Sequence, residues 1–208
     1  MTTETLGLRE RKKLATRQAL SDAALALALE HGLENVRVED IAAEAEVSTR
    51  TFRNYFSSKY EALAARHLDR ARRAALELRE RPRDEPLWDA VIHATLAQWD
   101  GDDGAADRSP SAEVTAGVRR LLAEPAFQAE VLKAGLAADS EFAAVIAERT
   151  GTDPRHDLYP RLVAAAVGAT TQVVTDQWLR ADPPVPLRPL LRDALRQLAA
   201  GLPDPSAT

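Results

Sequence analysis

Apolar positions recur at three- and four-residue steps along most of this chain, the period of helices with one buried face, and no stretch alternates apolar and polar residues as a strand would. The spacing predicts helices over 10–31, 38–45, 49–56, 58–81, 87–100, 111–123, 125–149, 157–180 and 187–201, and so an all-α fold. In the first, Leu20, Ala23, Ala24 and Leu27 share the inward face, and Gly32 marks the end. In the second, Val38, Ile41, Ala42 and Ala45 do so. Val47 then falls at a break, Ser48 is a good N-cap, and Phe52 and Phe56 form the apolar stripe of the third helix. Two short helices joined by a tight turn are the outline of a helix-turn-helix.

Prolines divide the rest. Two within 82–86 predict a hinge, which gives a helix-turn-helix domain over 1–57, a linking helix over 58–81 and a second helical domain over 82–208. Residues 1–8 read as a frayed start, 101–110 as a flexible acidic loop and 203–208 as a tail. Within 87–100, Trp88, Ile92, Leu96 and Trp99 lie on one side; within 125–149 the large apolar residues include Phe127, Val131, Phe142 and Ile146. The helix over 157–180 is apolar on two sides, one stripe containing Leu162, Ala166, Ala169 and Val173 and the other Val163, Val167, Val174 and Trp178. Both must be buried, one in the chain's own core and one against a partner. With the leucine seam of 187–201, it is expected to build a four-helix contact between two copies, with Val167, Gly168, Leu191, Leu195 and Leu198 at the interface.

Charge changes the picture locally. The net charge is −5, yet residues 1–60 carry nine Lys+Arg and nine Asp+Glu, so the excess acid lies on the remainder. From Val47 to Tyr60 there are three cations, Arg50, Arg53 and Lys59, and no acid. Thr49, Arg50, Thr51, Arg53 and Asn54 suit base edges in a major groove, and Ser48, Tyr55, Ser58 and Lys59 suit phosphates. The basic start of the first helix (Arg9, Arg11, Lys12, Lys13, Arg17) fits either phosphate or minor-groove contacts or a solvated charge cluster. The pattern also allows a helical protein–protein interaction module. An all-α enzyme fits less well: there is no glycine-rich phosphate loop after a strand and no His-Glu-x-x-His, and the chain has no cysteine for a thiolate or a Cys-type zinc site. Residues 1–13 contain no apolar core segment and no apolar run approaches the roughly 20 residues of a membrane span, so a cytoplasmic protein without a membrane partner is expected.

Residues 16–63 resemble the DNA-binding domain of the TetR family of bacterial repressors. The matching positions are Arg17, Leu20, Ala23, Ala24, Leu27, Gly32, Val38 to Ala42, Ala45, Val47, Ser48, Thr51, Phe52, Tyr55, Phe56, Ser58 and Lys59. The resemblance implies a dimeric, ligand-responsive repressor of a palindromic operator on double-stranded DNA, with Arg17 among the DNA-contacting residues. Three positions depart from the family pattern: Glu46 stands where the inter-helix turn usually has glycine, Arg53 where the reading helix usually has an aromatic residue, and Ala28 where the first helix commonly has phenylalanine.

The second half resembles the TetR subgroup that includes the mycofactocin-associated regulator. Leu122-x-x-Pro125, Ala147 to Gly151, Asp157-Leu158, Leu162-x-Ala164-Ala165-Ala166 and Trp178-Leu179 carry this likeness. It implies no cofactor but a small-molecule effector, acyl-CoA-like or otherwise long and apolar. Trp88, Ile92, His93, Leu96, Trp99, Phe127, Val131, Phe142, Val167 and Thr170 are the residues expected to line its pocket, His93 and Thr170 as polar handles.

Overall fold

The structure is a computed structural model in which residues 7–99, 109 and 111–204 are described. Most of the expected frayed start, the acidic loop 101–110 and the end of the tail lie outside these residues. The elements in order are α1 (Leu8–His31), a 3-10 turn (Leu33–Asn35), α2 (Val38–Glu44), α3 (Thr49–Tyr55), α4 (Lys59–Glu80), α5 (Leu87–Ala97), α6 (Ala112–Ala123), α7 (Pro125–Thr150), α8 (Leu158–Arg180) and α9 (Leu187–Ala199). Among the described residues there is no strand, and every helix lies within three residues of its expected bounds. The largest difference is at the end of α5, where Gln98 and Trp99 donate their N–H groups to Thr95 and Leu96 in a tight turn instead of continuing the helix.

The chain forms two compact units that are not contiguous halves. One comprises residues 1–66 with 117–132, the other 67–116 with 133–208. The division therefore falls inside α4, α6 and α7, not at the proline-bearing link after α4.

In the first unit, Leu20, Ala24, Ile41, Phe52, Phe56 and Ala62 are almost fully buried, and Leu121 and Phe127 join the same core. The buried Ser21 hydroxyl donates to the Ala62 carbonyl at 2.6 Å, which satisfies a polar group that would otherwise be stranded. With seven residues, α3 is too short to be stable alone. It is held by Phe52 and Phe56, 0% and 1% exposed with ring centroids 5.8 Å apart, each side chain contributing roughly 1.5–3 kcal/mol through burial. The Ser48 Oγ accepts the Thr51 N–H at 3.0 Å and fixes where the helix begins.

The turn between α2 and α3 is a Schellman closure. Val47 N–H donates to Ala42 O at 2.9 Å and Glu46 N–H to Ala43 O at 3.0 Å. That motif needs a left-handed residue after the C-cap. Gly201 fills the corresponding place after α9 with φ 85°, whereas here Glu46 does so with φ 53°. A side chain in that region costs on the order of 1–2 kcal/mol.

In the second unit, the Arg81–Pro86 link is latched and is not a hinge. Arg149 on α7 donates to the carbonyls of Arg81 (2.9 Å) and Pro82 (2.8 Å), with longer bonds to Leu78 and Glu85, so it caps the end of α4. Arg81 holds Glu85 through two bonds of 2.7 and 2.6 Å, and His93 lies 2.8 Å from the same carboxylate. The Arg81 guanidinium first, and His93 second, pull the Glu85 carboxyl down to about 2.

Two outcomes follow from this geometry. Glu46→Gly relieves the left-handed strain but gives back part of it as unfolded-state entropy, so it should stabilise the protein by about 0.5–1 kcal/mol, seen as a higher thermal midpoint. An unchanged or lower midpoint would mean the Glu46 side chain compensates for its own backbone. The Glu85 carboxyl is depressed in the folded state, so its contribution is present above the ordinary carboxylate range and fades as pH falls toward 2. The stability gap between wild type and Glu85→Gln should thus be constant above about pH 5 and close on acidification, as measured by urea melts across pH.

Candidate functional site

The two buried aromatics set the rotation of α3. With Phe52 and Phe56 inward, Arg50, Arg53 and Asn54 stand exposed on the opposite face, three and four residues apart, with Thr49 and Thr51 half-buried at the start of the helix and Tyr55 half-buried at its end. Among the described residues, none of the Arg50, Arg53 or Asn54 side chains is held by a hydrogen bond or ion pair. Two guanidiniums and a carboxamide on one unengaged ridge are groups that read guanine and adenine edges. The basic start of α1, Arg9, Arg11, Lys12 and Lys13, is also exposed.

Four residues expected at DNA have other partners. The Lys59 ammonium donates to Leu33 O at 2.7 Å and Val36 O at 2.8 Å, tying the start of α4 to the 3-10 turn. Two of its three hydrogens are thereby committed to the scaffold, which leaves one for any other acceptor. Arg17 lies 4.6 Å over the Phe56 ring, a cation–π contact that presses α1 onto the anchor of α3. Ser48 accepts the Thr51 N–H and shares its hydroxyl with the Thr51 Oγ1, 2.9 Å away. The Ser58 hydroxyl accepts the Glu61 N–H at 3.1 Å as the cap of α4.

In the second unit, Ile92, Leu96, Phe142 and Val167 belong to one buried core, with Trp88 and Trp99 packed against it. Phe127 and Val131 do not join them and belong to the core of the first unit. The reason is length: α7 has 26 residues, about 39 Å, and its first turns lie in one unit and the rest in the other. His93 is an exposed partner of Glu85. Thr170 is half-buried on α8.

The expected interface residues are also redistributed. Leu191 and Leu195 are 0% exposed and Val167 is 6% exposed, all within the unit's own core. Leu198 is half-buried there. A Cβ on Gly168 would stand 2.8 Å from Asp139 Oδ1, so this glycine allows α8 to approach α7. The open apolar face of α8 is instead Leu158, Leu162, Ala165, Ala169 and Val173.

Four groups that sequence reasoning missed lie in the second unit. His67 and Arg70 on α4, Thr95 on α5 and Asp139 on α7 read as ordinary polar helix positions. The available signal was His67 falling four residues before Ala71 and seven before Ala74, in line with the inward stripe of α4. Burial first, and the Arg70 charge second, push the His67 imidazole down; burial pushes the Asp139 carboxyl up. No group of described residues could hold a metal ion, and no described helix is long and apolar enough to cross a membrane.

Comparison with known proteins accords with this architecture. Residues 20–65 match the model of the TetR family of bacterial regulatory proteins, and residues 85–203 match the MftR C-terminal domain. The chain is 36% identical over 181 residues to the HTH-type transcriptional regulator TcmR of Streptomyces glaucescens, covering 85% of this chain and 79% of that protein. A TetR-family regulator of Syntrophomonas wolfei superposes with a TM-score of 0.61 at 18% identity, over 92% of this chain and 98% of the other. The FadR repressor of Thermus thermophilus, solved with lauroyl-CoA, does so with 0.52 at 20%, over 90% and 95%. At those identities the superpositions speak for the fold; the family matches and the TcmR likeness speak for kinship. This all-α chain, with a helix-turn-helix at one end and an MftR-type domain at the other, belongs to the TetR family and is a DNA-binding transcriptional regulator, not an enzyme.

Proposed function

We propose that the protein is a repressor that binds a palindromic operator as a homodimer in the cytoplasm, and that a small apolar effector held in the second unit releases it. The observation that carries the DNA half is the unengaged ridge of Arg50, Arg53 and Asn54, opposite the buried Phe52 and Phe56. An exposed pair of guanidiniums with no acid on the same helix would be poorly placed in a helical interaction module and well placed in a major groove. Supporting the effector half are the core of α5, α7 and α8 with the partly buried Trp88, Trp99 and Trp178 against it, and the match to the MftR C-terminal domain. The lauroyl-CoA seen in one fold relative makes an acyl-CoA-like molecule the first to try. An effector acts by favouring a dimer geometry whose two reading heads no longer meet successive major grooves.

The dimer reading rests on α8. Leu158, Leu162 and Val173 are 64%, 55% and 65% exposed, and Ala165 and Ala169 between them are small enough for close approach. An apolar stripe of that length on a single helix is the kind of surface that soluble monomers avoid. Packed on its symmetry mate it forms an isologous contact.

Two experiments test these readings. DNA selected from a random pool should be palindromic, and Arg50→Ala should weaken its binding by roughly 1–3 kcal/mol while sparing non-specific DNA. Lys59→Met should lower the thermal midpoint and leave the salt dependence of DNA binding as in wild type. An Arg50→Ala protein that still binds the selected DNA at full strength would remove this ridge as the reading surface. Leu162→Asp should give a folded monomer by analytical ultracentrifugation and lose operator binding, because the carboxylate is solvated once the partner leaves. Leu191→Asp should instead unfold the second unit, since it strands a charge in the core. A Leu162→Asp protein that remains dimeric would exclude the α8 face.

A further inference from the structure

The interior of the second unit has a gradient of polarity along α4. Toward the link to α5 its inward residues are Ala74, Ala75 and Leu78, buried in one core with Val91, Ile92, Phe142, Ile146 and Val163. Toward the other end of the helix, on the same face at spacings of four and three, stand Arg70 and His67. The Arg70 guanidinium lies 3.8 Å over the ring of Trp99, in the tight turn that follows α5. Thr95, four residues before Trp99, is 7% exposed, and among the described residues its Oγ1 has no hydrogen-bond partner. From α7, Gly135 meets His67: a Cβ there would stand 4.0 Å from the imidazole Nε2. One turn on, Asp139 lies against Gly168 of α8.

Three of these groups are short of partners. The Thr95 hydroxyl is buried and unmatched, and among the described residues neither the His67 imidazole nor the Asp139 carboxyl has a hydrogen bond or ion pair. A buried polar group without a partner, as the Thr95 hydroxyl is, is destabilising, and such groups are rare in folded proteins unless something else satisfies them. The three lie on three different helices of the unit, His67 three residues from Arg70 on α4 and Thr95 four residues before the Trp99 on which that guanidinium stacks, and give one part of an apolar interior a polar character.

We infer that His67, Arg70 and Thr95 hold the anionic oxygen head of an amphipathic effector, a carboxylate carried on a hydrocarbon body that extends toward Leu78 and Phe142. The inference rests on the effector reading above and adds the chemistry of the head. The Arg70 guanidinium supplies the fixed positive charge, and the Trp99 ring beneath it holds its plane. The imidazole and the hydroxyl each offer one donor to the head. Burial keeps His67 toward its neutral form in the empty protein, and an anion beside it favours the charged, doubly donating form. Asp139 repels a carboxylate when ionised, and burial, which pushes its carboxyl up, lessens that repulsion. A neutral head such as an alcohol gains none of the charge-assisted bonds.

The test compares decanoate with decanol, the same hydrocarbon body with and without the charge, by isothermal titration calorimetry on the full-length protein. Decanoate should bind at least roughly tenfold more tightly, the worth of one charge-assisted hydrogen bond. His67→Phe should lose most of that advantage and leave decanol within about twofold. Thr95→Val, which removes the unmatched hydroxyl at constant shape, should weaken decanoate while raising the thermal midpoint of the empty protein. A merely structural hydroxyl would not show that opposition. Equal affinity for the two probes, or His67→Phe and Thr95→Val proteins that bind decanoate as wild type does, would overturn the head-group assignment and leave the apolar-effector reading standing. Failure of both probes to bind would overturn both. Operator binding by each variant in the absence of probe should match wild type and shows that the reading heads are intact.

Discussion

Everything the first unit presents outward depends on two rings turned inward. A seven-residue helix has no stability of its own, and nothing in its backbone decides which side faces the solvent. Phe52 and Phe56, one turn apart, decide both at once, because burying the pair is possible in only one rotation of α3. The neighbours reinforce that setting. Arg17 covers the Phe56 ring from α1, and Ser48 fixes the first turn. Lys59 joins the start of α4 to the turn before α2. Cations that look alike in the sequence therefore do opposite jobs. Arg17 and Lys59 help to hold the scaffold, whereas Arg50 and Arg53 have no hydrogen bond or ion pair among the described residues.

The same economy of position explains the second unit. Helices such as α4 and α7 are longer than one core needs, and each contributes one end to each unit. A residue's unit is then set by its place along the helix and not by the domain its segment seems to open. Phe127 and Phe142, both large and both on α7, lie fifteen residues apart, about 22 Å of helix, and belong to different cores. The polar residues obey the same rule. Arg72 and Arg79 on α4 reach outward to Glu141 and Glu148 on α7 in exposed pairs worth little to stability, while Arg70 and His67 on the inward side meet Trp99 and Gly135.

Helices and their caps were legible in the sequence because they depend on local periodicity and on a few residues with one strong preference: Ser48 at a start, Gly32 at an end. The outward ridge of α3 was legible for the same reason, since two phenylalanines four apart leave only one choice of face. What was not legible is everything set by a second helix. Nothing local says that the Lys59 ammonium finds two backbone carbonyls more than twenty residues away in the chain, or that Arg149 closes the end of α4. The proline pair at 82–86 reads as a hinge on composition, and the structure makes it a latch because an arginine from elsewhere satisfies its carbonyls.

α8 shows how such an ambiguity is resolved physically. Both of its stripes are apolar, so periodicity says only that two surfaces need covering and not which belongs to the core. The answer comes from α9. Leu187, Leu191 and Leu195 recur every four residues on one edge and are 3%, 0% and 0% exposed, so that edge has to meet an equally apolar one within the same unit. It meets Val163, Val167 and Val174, the β-branched stripe of α8. Branched residues fill a groove at fixed rotamers with little entropy left to lose, which favours them where packing is permanent. The stripe left over, Leu158, Leu162, Ala165, Ala169 and Val173, alternates large and small residues, a surface that allows a second helix to come close. The leucines of α9 thus settle which stripe of α8 the unit's own core takes, and the other stripe is left open by that choice.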